Sequence, residues 1–145
     1  MTRTFLLSAL ALLAASAGAQ TADLEAEINR RAENAELDGW TVVAGPAVVE
    51  DGAEVVPIPI DLEAGEHYFV KVMTQEGSGL DPDIWVDAPY TGRFAGADES
   101  LGTEEELMLM PDESGTYQLN VPVYGMGCRG RSDAGCAYAY MVIRL

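Results

Sequence analysis

From Trp40 to the end of the chain, apolar and polar residues alternate in short runs, the pattern of half-buried β-strands. The clearest run is Gly115–Tyr124, where every second residue is apolar. We expect two opposite faces in this run: Tyr117, Leu119, Val121 and Val123 inward, and Thr116, Gln118, Asn120 and Pro122 outward. The other predicted strands lie within Trp40–Val49, Glu54–Leu62, His67–Met73, Ile84–Val86, Glu105–Met110 and Ala137–Leu145.

Turn residues separate these runs, and no helical pattern comes between them. Pro57 and Pro59 lie two apart in one run, and because proline has no N–H to donate, that run is predicted to be an edge strand. Trp85 is expected to point away from its neighbours Ile84 and Val86. Short strands at this spacing predict an all-β fold, an antiparallel β-sandwich over residues 40–145.

A helical pattern precedes the strands, over Thr21–Asp38. Apolar residues recur at spacings of four and three and form a narrow stripe: Leu24, Ile28, Ala32 and Ala35. Thr21 could cap the start, and Gly39 is suited to end the helix. We expect one short N-terminal helix, residues 20–39, on an edge of the sandwich. The alternative is a loose linker.

The first 19 residues have the pattern of a secretory signal peptide. Arg3 is followed by the uncharged apolar run Phe5–Ala15. Ala17-Gly18-Ala19 then supplies small residues at the positions that a signal peptidase recognises. We place the cut after Ala19, with Ala17 as a second possible site. The alternative is a buried N-terminal helix. The run is too short to span a bilayer, so the protein is predicted to be secreted or periplasmic and not membrane-spanning.

The order of four motifs resembles that of bacterial pre-peptidase C-terminal (PPC) domains. Leu62–Val70 is similar to their "L-x-A-G-x-x-Y-x-V" strand, Asp81–Val86 to a "D-x-D-apolar" strand, and Ser114–Val121 to a "G-T-Y-x-L-x-V" strand; Ala137–Val142 is similar to the closing strand. The resemblance implies a jelly-roll-like sandwich in a secreted protein, with calcium and matrix binding in some members. Family members usually accompany a protease, whereas here the motifs stand without a peptidase.

The composition is strongly acidic. There are 24 Asp and Glu against eight Lys and Arg, a formal net charge of −16. Such a surface repels polyanions, which argues against nucleic acid and anionic membranes as partners. Calcium, cationic partners and neutral ligands remain open, as does the plain interpretation that the charge keeps the protein soluble.

Carboxylates concentrate around one predicted strand, and they are the candidate calcium ligands. Asp81 and Asp83 come before it and Asp87 after it, and Asp98, Glu99 and Glu104–Glu106 lie in the connection that follows. Calcium takes six to eight oxygen ligands in flexible geometry, which loop carboxylates can supply. The spacing is not that of an EF-hand, and solvated turn residues are the alternative.

Two cysteines, Cys128 and Cys136, enclose seven residues before the last strand. Because disulfides persist outside the cytoplasm, we predict that they form a bridge, worth about 2–3 kcal/mol on the chain-entropy model. The enclosed loop carries Arg129 and Arg131, a basic tip that could dock on an acidic partner or another copy. Two exposed arginines without a specific role are the alternative.

Aromatic residues are weaker candidates for a binding surface. Trp85 and Tyr90 flank an Asp-Ala-Pro segment, and flat rings suit sugars and peptides. His67 is the only histidine, and no nucleophile motif accompanies it, so we expect no catalytic site and no zinc site. The sequence therefore predicts a non-catalytic binding or accessory module for a protein, peptide or glycan. The alternative is a structural or envelope-associated assembly protein.

Overall fold

A computed structural model describes residues 4–50, 52, 54–91, 94–125 and 136–145. In this part of the chain one helix precedes ten strands. Their bounds are α1 Thr4–Leu37, β1 Thr41–Val49, β2 Ile58–Leu62, β3 Tyr68–Met73, β4 Asp81–Pro82, β5 Ile84–Asp87, β6 Phe94–Asp98, β7 Glu104–Leu109, β8 Gly115–Asn120, β9 Val123–Tyr124 and β10 Tyr138–Arg144.

Eight of the strands form two four-stranded antiparallel sheets. The first sheet has the order β1-β10-β3-β7 and the second β2-β8-β5-β6, while the short β4 and β9 pair with each other. Four antiparallel pairs are nested along the chain: β1 pairs with β10, β2 with β8, β3 with β7 and, in the middle, β5 with β6. This nesting is one long hairpin rolled into two sheets, which is the jelly-roll arrangement. The predicted antiparallel jelly-roll-like sandwich is confirmed.

The core lies between the two sheets. Its residues come from alternate positions of both: Ile60, Leu62, Val70, Val72, Ile84, Val86, Tyr117, Leu119 and Val142 are among those at most 2% exposed. The predicted inward set of β8 and the segment after it is buried, and Trp85 points away from Ile84 and Val86 as expected. β2 is an edge strand, as its prolines predicted, although it begins at Ile58 rather than Glu54.

The predicted strand Gly115–Tyr124 is divided at Pro122. β8 ends at Asn120, and β9 then pairs with β4. Proline has no N–H to continue the ladder. The Pro122 carbonyl instead accepts a hydrogen bond from the Asp83 N–H at 2.8 Å. Pro122 is buried, so its predicted outward orientation is wrong.

The helix is longer than predicted and packs on a different part of the sandwich. It runs from Thr4 rather than from Thr21, because the Ala- and Leu-rich segment before Thr21 contains no proline and favours helix. The apolar stripe is buried, with Ile28 at 0% exposure, and it packs against Met73, Met141 and Ile143 on the outer face of the first sheet. The helix therefore lies across a sheet face, whereas the pattern predicted an edge.

The helix ends as its sequence predicted. Gly39 has a φ of +88°, the Gly39 N–H bonds the Glu36 carbonyl, and the Trp40 N–H bonds the Ala35 carbonyl, each at 3.0 Å. These two bonds make a Schellman motif, which needs a residue that tolerates positive φ. The motif turns the chain directly into β1.

Ion pairs fasten the helix to the first sheet. Arg31 reaches Glu104 of β7 with an Nη2–Oε1 distance of 2.6 Å, and Glu104 also pairs with the buried Lys71 of β3 at 3.0 Å. Lys71 makes a second ion pair with Glu106. Burial opposes ionisation of Glu104, but its hydrogen bond to Lys71 and the charges of Lys71 and Arg31 outweigh it and hold the Glu104 pKa below its ordinary value.

Candidate functional site

The outer face of the second sheet is the candidate binding surface, and we call its central residues the open face: Trp85, Asp87, Gln118 and Asn120. α1 is the one helix in the described part of the chain, and it contacts β1 and β10 of the first sheet. The second sheet therefore has no described helix on its outer face, where these four side chains are half-buried.

Strand register brings the four residues together. β5 and β8 are antiparallel neighbours, with Trp85 opposite Asn120 and Asp87 opposite Gln118. All four point outward, because Ile84, Val86 and Leu119 on the alternate positions are buried in the core. Directly opposed side chains on neighbouring strands have Cβ atoms about 4.5–5.5 Å apart, so the four make one continuous surface.

Hydrogen bonds hold this surface in place. The Asn120 Nδ2 donates to Asp87 Oδ2 at 3.0 Å and to the Gln118 carbonyl at 3.3 Å. The Trp85 Nε1–H donates to Glu99 Oε1 at 3.0 Å. Trp85 is thus held at its polar edge, and its ring lies next to fixed amide and carboxylate groups.

Two of the predicted calcium ligands belong to this surface. Asp87 accepts its bond from Asn120, and Glu99 accepts the bond from Trp85. In the β5–β6 pair Asp98 lies opposite Ile84, whereas Asp87 lies opposite Phe94 at the other end of β5. The structure therefore distributes the five predicted ligands along the strand instead of gathering them at one point.

A second group of carboxylates lies at the start of β7. Glu105 is only 1% exposed, and its Oε2 accepts a hydrogen bond from the Ser100 hydroxyl at 2.5 Å. Its Oε1 has no hydrogen-bond partner among the described atoms. The pKa of Glu105 is raised to about 7: burial is the largest cause, the Ser100 hydrogen bond opposes it, and the neighbouring Asp98 and Asp81 carboxylates add to the rise.

The loop between β6 and β7 wraps around this group. Asp98 Oδ1 accepts from the Ser100 N–H at 3.0 Å, and Asp81 Oδ1 accepts from the Gly102 N–H at 2.9 Å. Asp83 is 8% exposed and donates its N–H to Pro122. Within the described ranges, no three His, Cys, Asp or Glu side chains are grouped so that they could hold a metal ion. Calcium binding stays a prediction.

The remaining predicted residues lie apart from the open face. Tyr90 is in the turn after β5 and is 95% exposed. Cys136 is buried in the core, while Cys128, Arg129 and Arg131 lie outside the described residues, so the bridge and the basic tip stay predictions. His67 is exposed just before β3 of the first sheet.

A cleft lies between the helix and the sandwich. It has a volume of about 530 Å³, with Leu24 and Met73 as apolar lining and Glu27, Arg31 and Glu104 as charged lining. Hydrogen bonds from Arg30 and Arg31 lower the pKa of Glu27 to about 2. Because Arg31 already pairs with Glu27 and Glu104, we assign these three charges to fastening the helix. Asp23 and Glu76 are further acidic residues on the lining of the cleft.

Comparison with known proteins shows only distant likeness. No protein-family model matches the chain, and no curated protein matches it. One similar solved structure is a carbohydrate-binding module from a lichenase of Cellvibrio mixtus in complex with cellotriose, at 12% identity and a TM-score of 0.35, over 73% of this chain and 70% of that one. Another is infectious bursal disease virus, Gt strain, at 10% identity and a TM-score of 0.36, over 73% of this chain and 31% of that one. Likeness at this level carries no weight for ligand or partner.

No helix in the described ranges is long and apolar enough to cross a membrane.

Proposed function

We propose that this chain is an exported, non-catalytic binding module that takes a neutral, hydroxyl-rich ligand, a glycan, on the open face. The observation that carries the proposal is the placement of Trp85 beside Asp87, Gln118 and Asn120 on a sheet face without a described helix. An aromatic ring with a few fixed polar groups around it is the usual composition of a small-ligand site. Jelly rolls commonly serve as lectin domains.

The unused hydrogen-bond acceptors of the open face favour a ligand that donates hydrogen bonds. Both N–H groups of the Asn120 amide are used inside the protein, toward Asp87 and the Gln118 carbonyl. The Asn120 carbonyl oxygen and the second oxygen of Asp87 remain as acceptors. Sugar hydroxyls can donate to both, while the apolar face of the sugar ring lies against the Trp85 ring.

Charge favours a neutral glycan over an acidic one. The formal net charge is −16, and Asp87 adds a carboxylate at the site itself. A polyanionic polysaccharide would be repelled, whereas a neutral one would not. The leader-like sequence before Gln20 supports export. Export would bring the protein into contact with glycans outside the cell.

The proposal is tested by affinity electrophoresis against soluble neutral polysaccharides: β-glucan, α-glucan, xylan and mannan. We expect the wild-type protein to be retarded by at least one of them, and Trp85→Ala to weaken that retardation tenfold or more, about 1.4 kcal/mol. Trp40→Ala is the matched control, since Trp40 is 42% exposed next to the helix end and should leave binding unchanged. Equal binding by wild type and Trp85→Ala, or no retardation by any polysaccharide, would contradict the proposal.

Calcium stabilisation is a separate prediction, based on the acidic residues around β5 and β7. We expect millimolar calcium to raise the melting temperature and magnesium to have no effect, because flexible carboxylate loops suit the larger ion. The measurement is a thermal melt in calcium, in magnesium and in a chelator. Identical melts in calcium and in the chelator would exclude a calcium site.

A further inference from the structure

A second cavity lies at the end of the sandwich, where the turn after β5 meets the connection from β7 to β8. It is half-enclosed and has a volume of about 300 Å³. Ala88, Ala95 and Leu109 give it apolar walls, and Asp112 and Glu113 are its acidic lining residues. We call it the end cavity. Its volume is at the lower limit for small-ligand pockets, so it suits one side chain rather than an oligosaccharide.

An aromatic residue stands beside the end cavity in an unusual conformation. Tyr90 has a φ of +64° and is 95% exposed, and the Thr91 N–H bonds the Pro89 carbonyl across it at 2.7 Å. Positive φ is uncommon for a residue with a bulky side chain. Strained residues of this kind persist where the surrounding structure holds them, and they cluster at ligand sites.

Close packing holds this turn in position. A Cβ on Gly115 would lie 3.0 Å from Pro89 Cγ and 3.9 Å from the Tyr90 ring, so the turn packs closely on β8 and a larger residue at position 115 would force Pro89 to shift. The turn is thereby fixed against the strand that leads to Tyr117, whose ring lines the end cavity. Tyr90 directly precedes Thr91, which lines the end cavity, so the exposed Tyr90 ring stands beside the cavity.

The carboxylates of the end cavity have no described cation beside them. Burial raises the pKa of Tyr117, and the charges of Glu113 and Asp112 add to that rise, which is consistent with their place on the lining of the same cavity. Every described lysine and arginine is paired with other carboxylates. These pairs are Arg30 and Arg31 with Glu27, Arg31 and Lys71 with Glu104, Lys71 with Glu106, and Arg144 with Glu63.

We propose that the end cavity binds a lysine or arginine side chain of a partner protein. The apolar stem of the side chain lies along Ala88, Ala95 and Leu109, and its charged end meets Asp112 and Glu113. Long basic side chains combine an apolar stem with a charged head in this way. The exposed Tyr90 ring beside the cavity adds cation–π attraction. This site is separate from the open face and does not depend on glycan binding there.

The experiment uses Nα-acetyl-lysine methylamide as the probe and protein amide chemical shifts as the readout. We expect saturable shifts in the millimolar range around Tyr90, Thr91 and Glu113. The norleucine analogue has the same stem without the charge, and it should bind at least fivefold more weakly. Norleucine binding as strong as lysine binding, or shifts that are scattered and do not saturate, would overturn the proposal.

Two sets of variants separate the cavity from the overall charge of the protein. Asp112→Asn with Glu113→Gln should weaken lysine binding at least fivefold, because it removes the local charges and keeps the side-chain shapes. Glu33→Gln with Glu36→Gln removes the same charge from the exposed side of the helix and should change binding less than twofold. Equal losses of lysine binding in the two double variants would contradict the proposal.

Tyr90→Ala, at an exposed position, should weaken lysine binding about threefold with the fold retained. Unchanged binding would remove Tyr90 from the site.

Discussion

Replacing Ile28 with alanine is expected to lower the free energy of unfolding by about 2–5 kcal/mol. Ile28 has 0% exposure and lies at the centre of the contact between the helix and the first sheet, against residues such as Met141 and Ile143. The substitution removes three carbons from a packed site and leaves a cavity. The helix propensity of alanine offsets less than 1 kcal/mol of that loss. Urea unfolding followed by circular dichroism measures the change.

Leu37→Ala is the matched control on the same helix. Leu37 is 85% exposed, and its truncation should change the free energy of unfolding by no more than about 0.5 kcal/mol. If Ile28→Ala is as stable as Leu37→Ala, the helix contributes nothing to the stability of the sandwich. The face on which it lies would then be open in solution, like the outer face of the second sheet.

The sequence was sufficient to predict the sandwich because its strands carry clear alternation. β8 places buried apolar residues at every second position, and a pattern of period two is typical of strands with one buried face. β3 also has apolar residues at every second position, although its other face is buried beneath the helix. The stripe on α1 was equally clear. Its placement on a sheet face rather than an edge was not predictable, since the stripe shows that the helix is buried and not what covers it.

The missed strands have sequences without a strong strand preference. β6 is built around Ala95-Gly96-Ala97, which resembles a loop in composition. Gly96 is nevertheless part of the sheet, where a Cβ would lie 3.3 Å from the Leu107 side chain. Strand β4 has two residues, too few for any periodicity. Tertiary packing places these segments in strands, and single-residue preference does not.

The open face was predictable only in part. Trp85 was predicted as an outward-facing aromatic, but its neighbours Gln118 and Asn120 come from a strand more than 30 residues later in the chain. Pairing of β5 with β8 follows from the topology, which alternation does not reveal. Glu105 did leave a signal, since it occupies the same face of its strand as Leu107 and Leu109. A carboxylate on the apolar face of an alternating strand indicates a buried acid.

That buried acid leads to the second large effect, a loss of stability as the pH rises. The pKa of Glu105 is about 7 in the folded protein, against an ordinary value of 4.5. Below about pH 4.5 both the folded and unfolded states hold the proton, and Glu105 has no effect. Between about 4.5 and 7 the folded state alone keeps it, so stability falls with rising pH and stays reduced above 7. The expected loss is up to about 3 kcal/mol.

Glu105→Gln should abolish this dependence. The amide keeps the shape of the neutral carboxyl group; its oxygen can accept the Ser100 hydroxyl hydrogen bond, and its NH2 group can donate to Asp98. We expect the variant to melt at the same temperature as the wild type near pH 4 and several degrees higher at pH 8. Thermal melts from pH 4 to 8 in a chelator measure the difference without interference from calcium.

Glu66→Gln supplies the control, because Glu66 is exposed and its replacement removes the same charge from the surface. Its melting temperature should follow that of the wild type at every pH. If the melting temperatures of both variants rise equally at pH 8, the rise reflects the net charge of the molecule and not the burial of Glu105. If Glu105→Gln melts below the wild type at pH 8, the ionised carboxylate stabilises the β6–β7 loop, and Glu105 is charged in the folded protein at neutral pH.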